Sequence, residues 1–281
     1  MIIFFENGRL GNQIFQYCAI KKFHKKGSIF LIGMHSLQTM FTGIEVVKNL
    51  RFIEKLFFHF GKGPLDLLAK KLHVISLLTE EVTIEGSKLK VHNGFFKNFI
   101  YCSQSFFQSE NMIDDSIAKK IELKPELLNK AANFFLKLPC EKTTIFFVHV
   151  RRGDYLSWPS ISAPAVLPLT WYQEQMKWVR LKYTNPFFII VSDDGSYADE
   201  MFSHCQDVIV SHEKEEVDFA IMSQCDGGIL SASSFAWWGA YFARRSNNNA
   251  FFIAPMYWIG HCKNIWHPTG IETTWLTYAE V

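Results

Sequence analysis

The side chains best suited to chemistry stand in one short stretch, His149-Val150-Arg151-Arg152-Gly153-Asp154. It follows directly on the apolar run Ile145–Val150, which reads as a parallel strand covered on both faces. Ligands of open α/β sheets bind beyond the carboxyl ends of their strands. Two adjacent arginines at such a point need an anionic partner, because an unpaired guanidinium in a cleft is costly. A diphosphate suits them: the planar fork of Arg meets phosphate oxygens two at a time. Asp154 is expected to orient one arginine by ion pairing and leave the other for the ligand. Taken alone, the stretch also fits a solvated Arg-Arg-Asp network at a strand end.

A second cluster, Ser231-Ala232-Ser233-Ser234-Phe235-Ala236-Trp237-Trp238-Gly239, separates the strand Gly228–Leu230 from a helix running to about Arg245. Ser233 and Ser234 can cap that helix, whose first backbone N–H groups point at whatever binds there. Ordinary capping is the competing reading. The third cluster is the loop Gly8-Arg9-Leu10-Gly11-Asn12-Gln13, between the strand Ile2–Phe5 and a helix from about Asn12 to Lys26. Its glycines let backbone approach a ligand, with Arg9, Asn12 and Gln13 as donors. A tight turn without a ligand explains it equally well.

Other chemistries fail on spacing. The first loop is neither G-x-G-x-x-G nor a phosphate-binding P-loop, so the nicotinamide and ATP fingerprints are missing. His212-Glu213 lacks the second histidine of a zinc helix, and Glu213–Glu216 reads as a solvated acidic helix start. No G-x-S-x-G elbow occurs. Asp114-Asp115 and Asp193-Asp194 are adjacent pairs rather than Asp-x-Asp, which argues against metal-bridged handling of a sugar nucleotide. Arginines and a helix N-terminus would then neutralise a leaving diphosphate by themselves.

The elements that position these clusters alternate. After Ile2–Phe5, the first helix and the strand Ile29–Ile32, residues 36–142 are hard to assign. Leu65–Leu78, Asn111–Ile121 and Pro125–Leu138 read as helical there. Gly27 fits the C′ position of the first helix, and Thr170 the N-cap of Leu169–Lys182. From Ile145 onward strands at Phe187–Val191, Val208–Val210, Gly228–Leu230 and Phe251–Ile253 alternate with helices, the pattern of a Rossmann-like half. The expected division is 1–140, an N-terminal α/β half on the acceptor side, and 141–281, a nucleotide-binding half.

Composition agrees with a large folded protein. The chain has 281 residues, 48% hydrophobic and 20% charged, which excludes disorder, fibres and small disulfide scaffolds. Its net charge of +2 offers no general nucleic-acid surface. The 27 phenylalanines read as core and surface filler. The six cysteines, none within four residues of another, read as reduced thiols of a cytosolic protein. Glu6 cuts the apolar start short of a signal segment, and Gly227–Ala243 is too short and polar for a membrane span.

Together, Gly8 to Tyr17, His149 to Asp154 and Ser233 to Gly239 resemble, in order and spacing, the galactoside α-1,2-fucosyltransferases. The resemblance implies a GT-B-like α/β fold, two Rossmann-type halves facing a cleft. It implies inverting transfer of L-fucose from GDP-fucose to the 2-hydroxyl of a terminal galactose, without a metal or other cofactor. By likeness to the wider fucosyltransferase group, Arg151 holds the β-phosphate and His149 lies close to the nucleotide. Asp218 accepts hydrogen bonds from the guanine edge, and Ser233, Ser234 and Phe235 stand near the phosphates. The donor site then comprises Arg9, Asn12, His149, Arg151, Arg152, Asp218, Ser233, Ser234 and Phe235, with Arg151 and Asp154 catalytic.

The likeness also implies a bacterial-type enzyme of surface-polysaccharide synthesis, cytoplasmic or at the inner membrane face. Its acceptor would be a galactose-terminated oligosaccharide or lipid-linked glycan, its membrane contact peripheral at most, and it would take no nucleic acid. Three departures stand out. Ala232 replaces an asparagine of many relatives, Arg9 a glycine, and Pro159 a glutamate of the α-1,6 enzymes, so no general base transfers by likeness. A same-fold transferase of other linkage, or an inactive GDP-sugar-binding module, would keep the same three clusters.

Overall fold

The computed structural model describes residues 1–45, 61–83, 86–139 and 144–281. The chain divides into two units, Met1–Glu122 and Leu123–Val281. The boundary expected at 140/141 lies outside the described residues, as does Cys140. The helix Pro125–Phe135 groups with the second unit, where it packs on the helix Glu215–Met222.

The first unit is built on strands β1 (Ile2–Phe5), β2 (Ile29–Ile32), β3 (Ile75–Thr83), β4 (Gly86–His92) and β5 (Phe96–Cys102). Their order is β2-β1-β5-β3-β4, parallel except for the antiparallel β3–β4 hairpin. Strand β1, central and all apolar, is buried along its whole length. Helix α1 (Leu10–Phe23) carries Ile14, Phe15, Cys18 and Ile20 inward, together with Gln13 and Gln16.

That helix ends earlier than its lysines suggest. His24 is the C-cap, its N–H bonding Ile20 O, and Gly27 lies beyond it in the turn to β2. The stretch read as a helix from Leu65 to Leu78 is helical only over Gly63–Lys71 and then extends into β3. Ile75, Thr79, Val82 and Thr83, β-branched residues at home on a pleated surface, fall on the strand. Asn111–Ile121 holds just two short turns of helix, Glu110–Met112 and Asp115–Ala118.

The second unit is a parallel sheet of β6 (Thr144–Val150), β7 (Pro186–Ser192), β8 (Val208–Val210), β9 (Gly227–Ile229), β10 (Phe251–Pro255) and β11 (Thr277–Ala279). The order is β8-β7-β6-β9-β10-β11. Helices intervene: α2 (Leu169–Lys182), α3 (Gly195–Phe202), α4 (Glu215–Met222) and α5 (Ser234–Ser246). Phe146, Val148 and Val150 of β6 pack with Trp171, Tyr172 and Met176 of α2 and Phe202 of α3. Burying each such side chain contributes ~1.5–3 kcal/mol.

Gly227 is required for this sheet to close, since a Cβ there would stand 2.5 Å from the carbonyl oxygen of Phe251. Pro168, not Thr170, is the N-cap of α2, because its extended backbone turns the chain into the helix two residues earlier. Among the described residues Cys18, Cys102, Cys205, Cys225 and Cys262 are free thiols, three of them buried and Cys262 exposed. No helix among those residues is long and apolar enough to cross a membrane.

Candidate active site

The sheet register explains how the site of the second unit assembles. Ser192 is the parallel partner of Val150, so the turns after β6 and β7 leave the sheet side by side. Arg151 and Arg152 therefore meet Asp193 and Asp194, 42 residues distant in sequence. Asp193 is the bracket: one oxygen accepts the Arg152 backbone N–H at 2.8 Å and the other pairs with Arg151 Nη1 at 3.0 Å. Arg151 Nη2 also pairs with Asp154 Oδ1. Arg152 Nε donates to Asp194 Oδ2 at 3.2 Å, and its guanidinium lies 3.5 Å from the Tyr197 ring centroid.

This corrects the expectation that Asp154 leaves one arginine unpaired: both have carboxylate partners. The missing signal was the parallel register, which brings a second acidic pair to the same strand ends. Two guanidiniums and three carboxylates sum to −1, so an arriving phosphate must compete with aspartates. Asp154 is the partner most open to displacement, its side chain 57% exposed against 24% for Asp193. Asp194 is tied further, as the N-cap accepting from Tyr197 N–H.

His149 is buried and uses Nδ1 to meet Ser231 Oγ at 2.7 Å. Burial, with the Arg151 charge adding to it, pushes its pKa down to about 3. The imidazole is thus neutral through the physiological range and serves as a hydrogen-bonding group rather than a cation. The β6–β9 register places it there, with Ser231 N–H donating to His149 O.

Ser233 is the N-cap of α5, its hydroxyl accepting from Phe235 N–H at 3.3 Å, and Ser234 opens the helix. The Phe235 ring lies against His149 at 5.7 Å and Phe219 at 5.3 Å. Next to Phe219 on α4 stands Asp218. It is buried, and Ser211 Oγ donates to it at 2.5 Å. Burial raises its pKa to about 7 against the help of that hydroxyl, with Glu213, Glu215 and Glu216 adding repulsion. Tyr155 is a site residue that sequence reasoning missed. Its hydroxyl donates to Ala232 O at 2.8 Å and its ring lies 5.4 Å below the Arg151 guanidinium, joining the first two clusters. An aromatic beside an acid-base cluster had no spacing signature.

Arg9 and Asn12 belong to the first unit. Arg9 is exposed and is the N-cap of α1 through its backbone, while Asn12 Oδ1 accepts from Gln108 Nε2 at 2.6 Å. The loop around them is held from within. Gln16, fully buried, donates to Asn7 O and Ser105 O, and Glu6 Oε2 accepts from Gln13 Nε2 and Met34 N–H. Among the described residues no group of three or more His, Cys, Asp or Glu is arranged to hold a metal ion.

The model of glycosyl transferase family 11 matches residues 3–259. The O-antigen biosynthesis glycosyltransferase WbnK of Escherichia coli is 28% identical over 62% of this chain and 59% of its own length. The galactoside alpha-(1,2)-fucosyltransferase 1 of Homo sapiens is 25% identical over 85% of this chain and 64% of its own. The chain thus spans less than two thirds of either relative. Among solved structures, fucosyltransferase NodZ from Bradyrhizobium aligns with a TM-score of 0.51 at 11% identity, over 85% of this chain and 91% of that one. POFUT1 in complex with GDP aligns at 0.54 and 13% identity, over 89% and 97%. The expected GT-B-like α/β fold is shared with these structures.

Proposed function

The chain belongs to glycosyl transferase family 11, and from that premise we propose that it transfers L-fucose from GDP-fucose to the 2-hydroxyl of a terminal galactoside, with inversion. The observation that carries the reading is the Arg151–Asp193–Arg152 bracket at adjoining strand ends, beside the capped start of α5.

In this reading the donor diphosphate displaces Asp154 from Arg151 while Asp193 keeps the guanidinium aimed. The β-phosphate gains charge as the fucosyl carbon–oxygen bond breaks, so a donor fixed at that point stabilises the transition state more than the ground state. Arg152, over the Tyr197 ring and paired with Asp194, supplies the second positive charge. The first-turn N–H groups of α5 add a favourable field. Neutral His149 hydrogen-bonds the nucleotide through Nε2, and Asp218 accepts from the guanine edge.

The acceptor hydroxyl loses its proton late, after the sugar has become oxocarbenium-like, and no strong base is needed. Glu6 is engaged by Gln13 and Met34, and Asp154 pairs with Arg151 until the diphosphate displaces it. Charge neutralisation by arginines gives a reaction that proceeds without metal. The acceptor is a galactose-terminated oligosaccharide or lipid-linked glycan. Incubation with GDP-fucose and a β-galactoside, followed by GDP release and NMR of the product, tests the reading. An α-1,2-linked fucose supports it, whereas GDP binding without any transfer contradicts it.

A further inference from the structure

One face of the first unit has no part in the donor site. Leu65, Leu68, Val74, Ile75, Phe95 and Phe96 line a groove of about 900 Å³. On its rim Phe95 is 82% exposed and Phe96 56%, an apolar exposure a water-facing surface does not favour. The rim is also rigid. Phe95 N–H donates to His73 O and Phe96 N–H to Val74 O, and the two rings meet edge to face at 5.0 Å. With these backbone groups already satisfied, moving the rim out of water strands neither donor.

Charge identifies the occupant. Lys62, Lys70 and Lys71 lie on or next to the helical stretch that lines the groove, and Lys97 follows Phe96. Against these four cations the stretch carries one carboxylate, Asp66, which pairs with Lys70 at 2.6 Å. A second copy of this chain would bring lysines against lysines. An anionic bilayer accepts both the aromatic rim and the lysines. We propose that this face seats the protein on an anionic membrane surface, with Phe95 and Phe96 entering the headgroup layer. The seat rests on these residues alone and not on the fucosyltransferase reading.

Flotation of the full chain with vesicles of phosphatidylcholine, with and without phosphatidylglycerol, tests it in the absence of any substrate. The chain should float with the anionic vesicles at low salt and be released at high salt. Phe95→Ser with Phe96→Ser should cut the bound fraction about tenfold or more, the loss of two buried aromatic contacts. Lys62→Gln, Lys71→Gln and Lys97→Gln together should remove the preference for phosphatidylglycerol. Melting temperature and GDP affinity, measured on each variant, confirm that it is folded. No flotation of the wild type on anionic vesicles would overturn the proposal. So would folded Phe variants that float unchanged, or a chain that dimerises through this face in gel filtration and does not float.

Discussion

Replacing Asp218 by Asn should make the protein more stable and worse at binding nucleotide, and both effects should depend on pH. The buried carboxyl titrates at about 7 instead of 3.8. A displacement of that size corresponds to ~4 kcal/mol in favour of the neutral form. The sign follows from linkage. The folded protein holds this proton more tightly than the unfolded chain does. Its stabilising contribution is therefore complete below pH 3.8 and is lost as pH rises through 7. Asparagine has no such loss, so Asp218→Asn should gain on the wild type between pH 3.8 and about 7 and hold that gain at pH 8. At ~2–4 °C per kcal/mol for a unit of this size, the variant should melt on the order of 10 °C higher at pH 8. GDP affinity should move the other way. Guanine N–H groups need the ionised carboxylate, and charged hydrogen bonds of this kind contribute ~1.5–3 kcal/mol, so calorimetry should record a loss of roughly 10- to 100-fold at pH 8. Wild-type affinity should also fall as pH drops below 7. The Asn variant serves as the control for titration of the GDP phosphate itself. A variant that binds GDP like the wild type at pH 8 would refute the guanine contact. One that melts no higher would refute the burial argument.

Four further outcomes follow from the same geometry. Arg151→Lys, whose point charge cannot reproduce the fork held between Asp193 and Asp154, should lower kcat/KM by ~10²–10³, and near-full activity in a folded variant would remove Arg151 from its role. Asp193→Asn should weaken GDP binding more than Asp154→Asn, because Asp193 holds Arg151 and the Arg152 backbone together; the reverse order in calorimetry would break the bracket argument. Glu6→Gln should cost no more than ~10-fold in turnover, well below the 10²–10⁴ expected on losing a general base; abolished turnover with intact folding and GDP affinity would make Glu6 the base. Turnover should persist in excess EDTA, and activity restored only by Mn²⁺ or Mg²⁺ would contradict charge neutralisation by arginines alone.

Much of the second unit was legible because parallel strands buried on both faces are continuous apolar runs. Ile145–Val150 and Phe187–Val191 announce themselves this way, and the chemistry hangs on their ends. The partnership of Arg151 with Asp193 was not legible, since it depends on which residue of β7 stands opposite Val150, a register that no local pattern encodes. Strand β11 is not legible for a similar reason: one exposed and two half-buried residues at a sheet edge carry too little apolar signal. In the first unit the failure was one of period. Leu65, Leu68 and Leu72 repeat at helical spacing, and the following Ile75-Ser76-Leu77-Leu78 continues to look helical until β3 pairs with β5. The glycine loop is legible, yet Gln13 reads in sequence as a ligand donor, while the structure uses it, with Gln16, to hold the loop from within. Buried polar side chains that satisfy backbone groups look, in sequence, the same as those that face a substrate.

We propose that the two arginines neutralise a departing GDP while fucose passes to the galactose 2-hydroxyl. The most direct test is the product formed from GDP-fucose and a β-galactoside by the wild type and by Arg151→Lys, with linkage and anomeric configuration read by NMR. The wild type should form α-1,2-linked fucose with inversion, and the variant the same product at a rate lower by ~10²–10³. A different linkage, retention at the anomeric carbon, or equal rates from both proteins would contradict it.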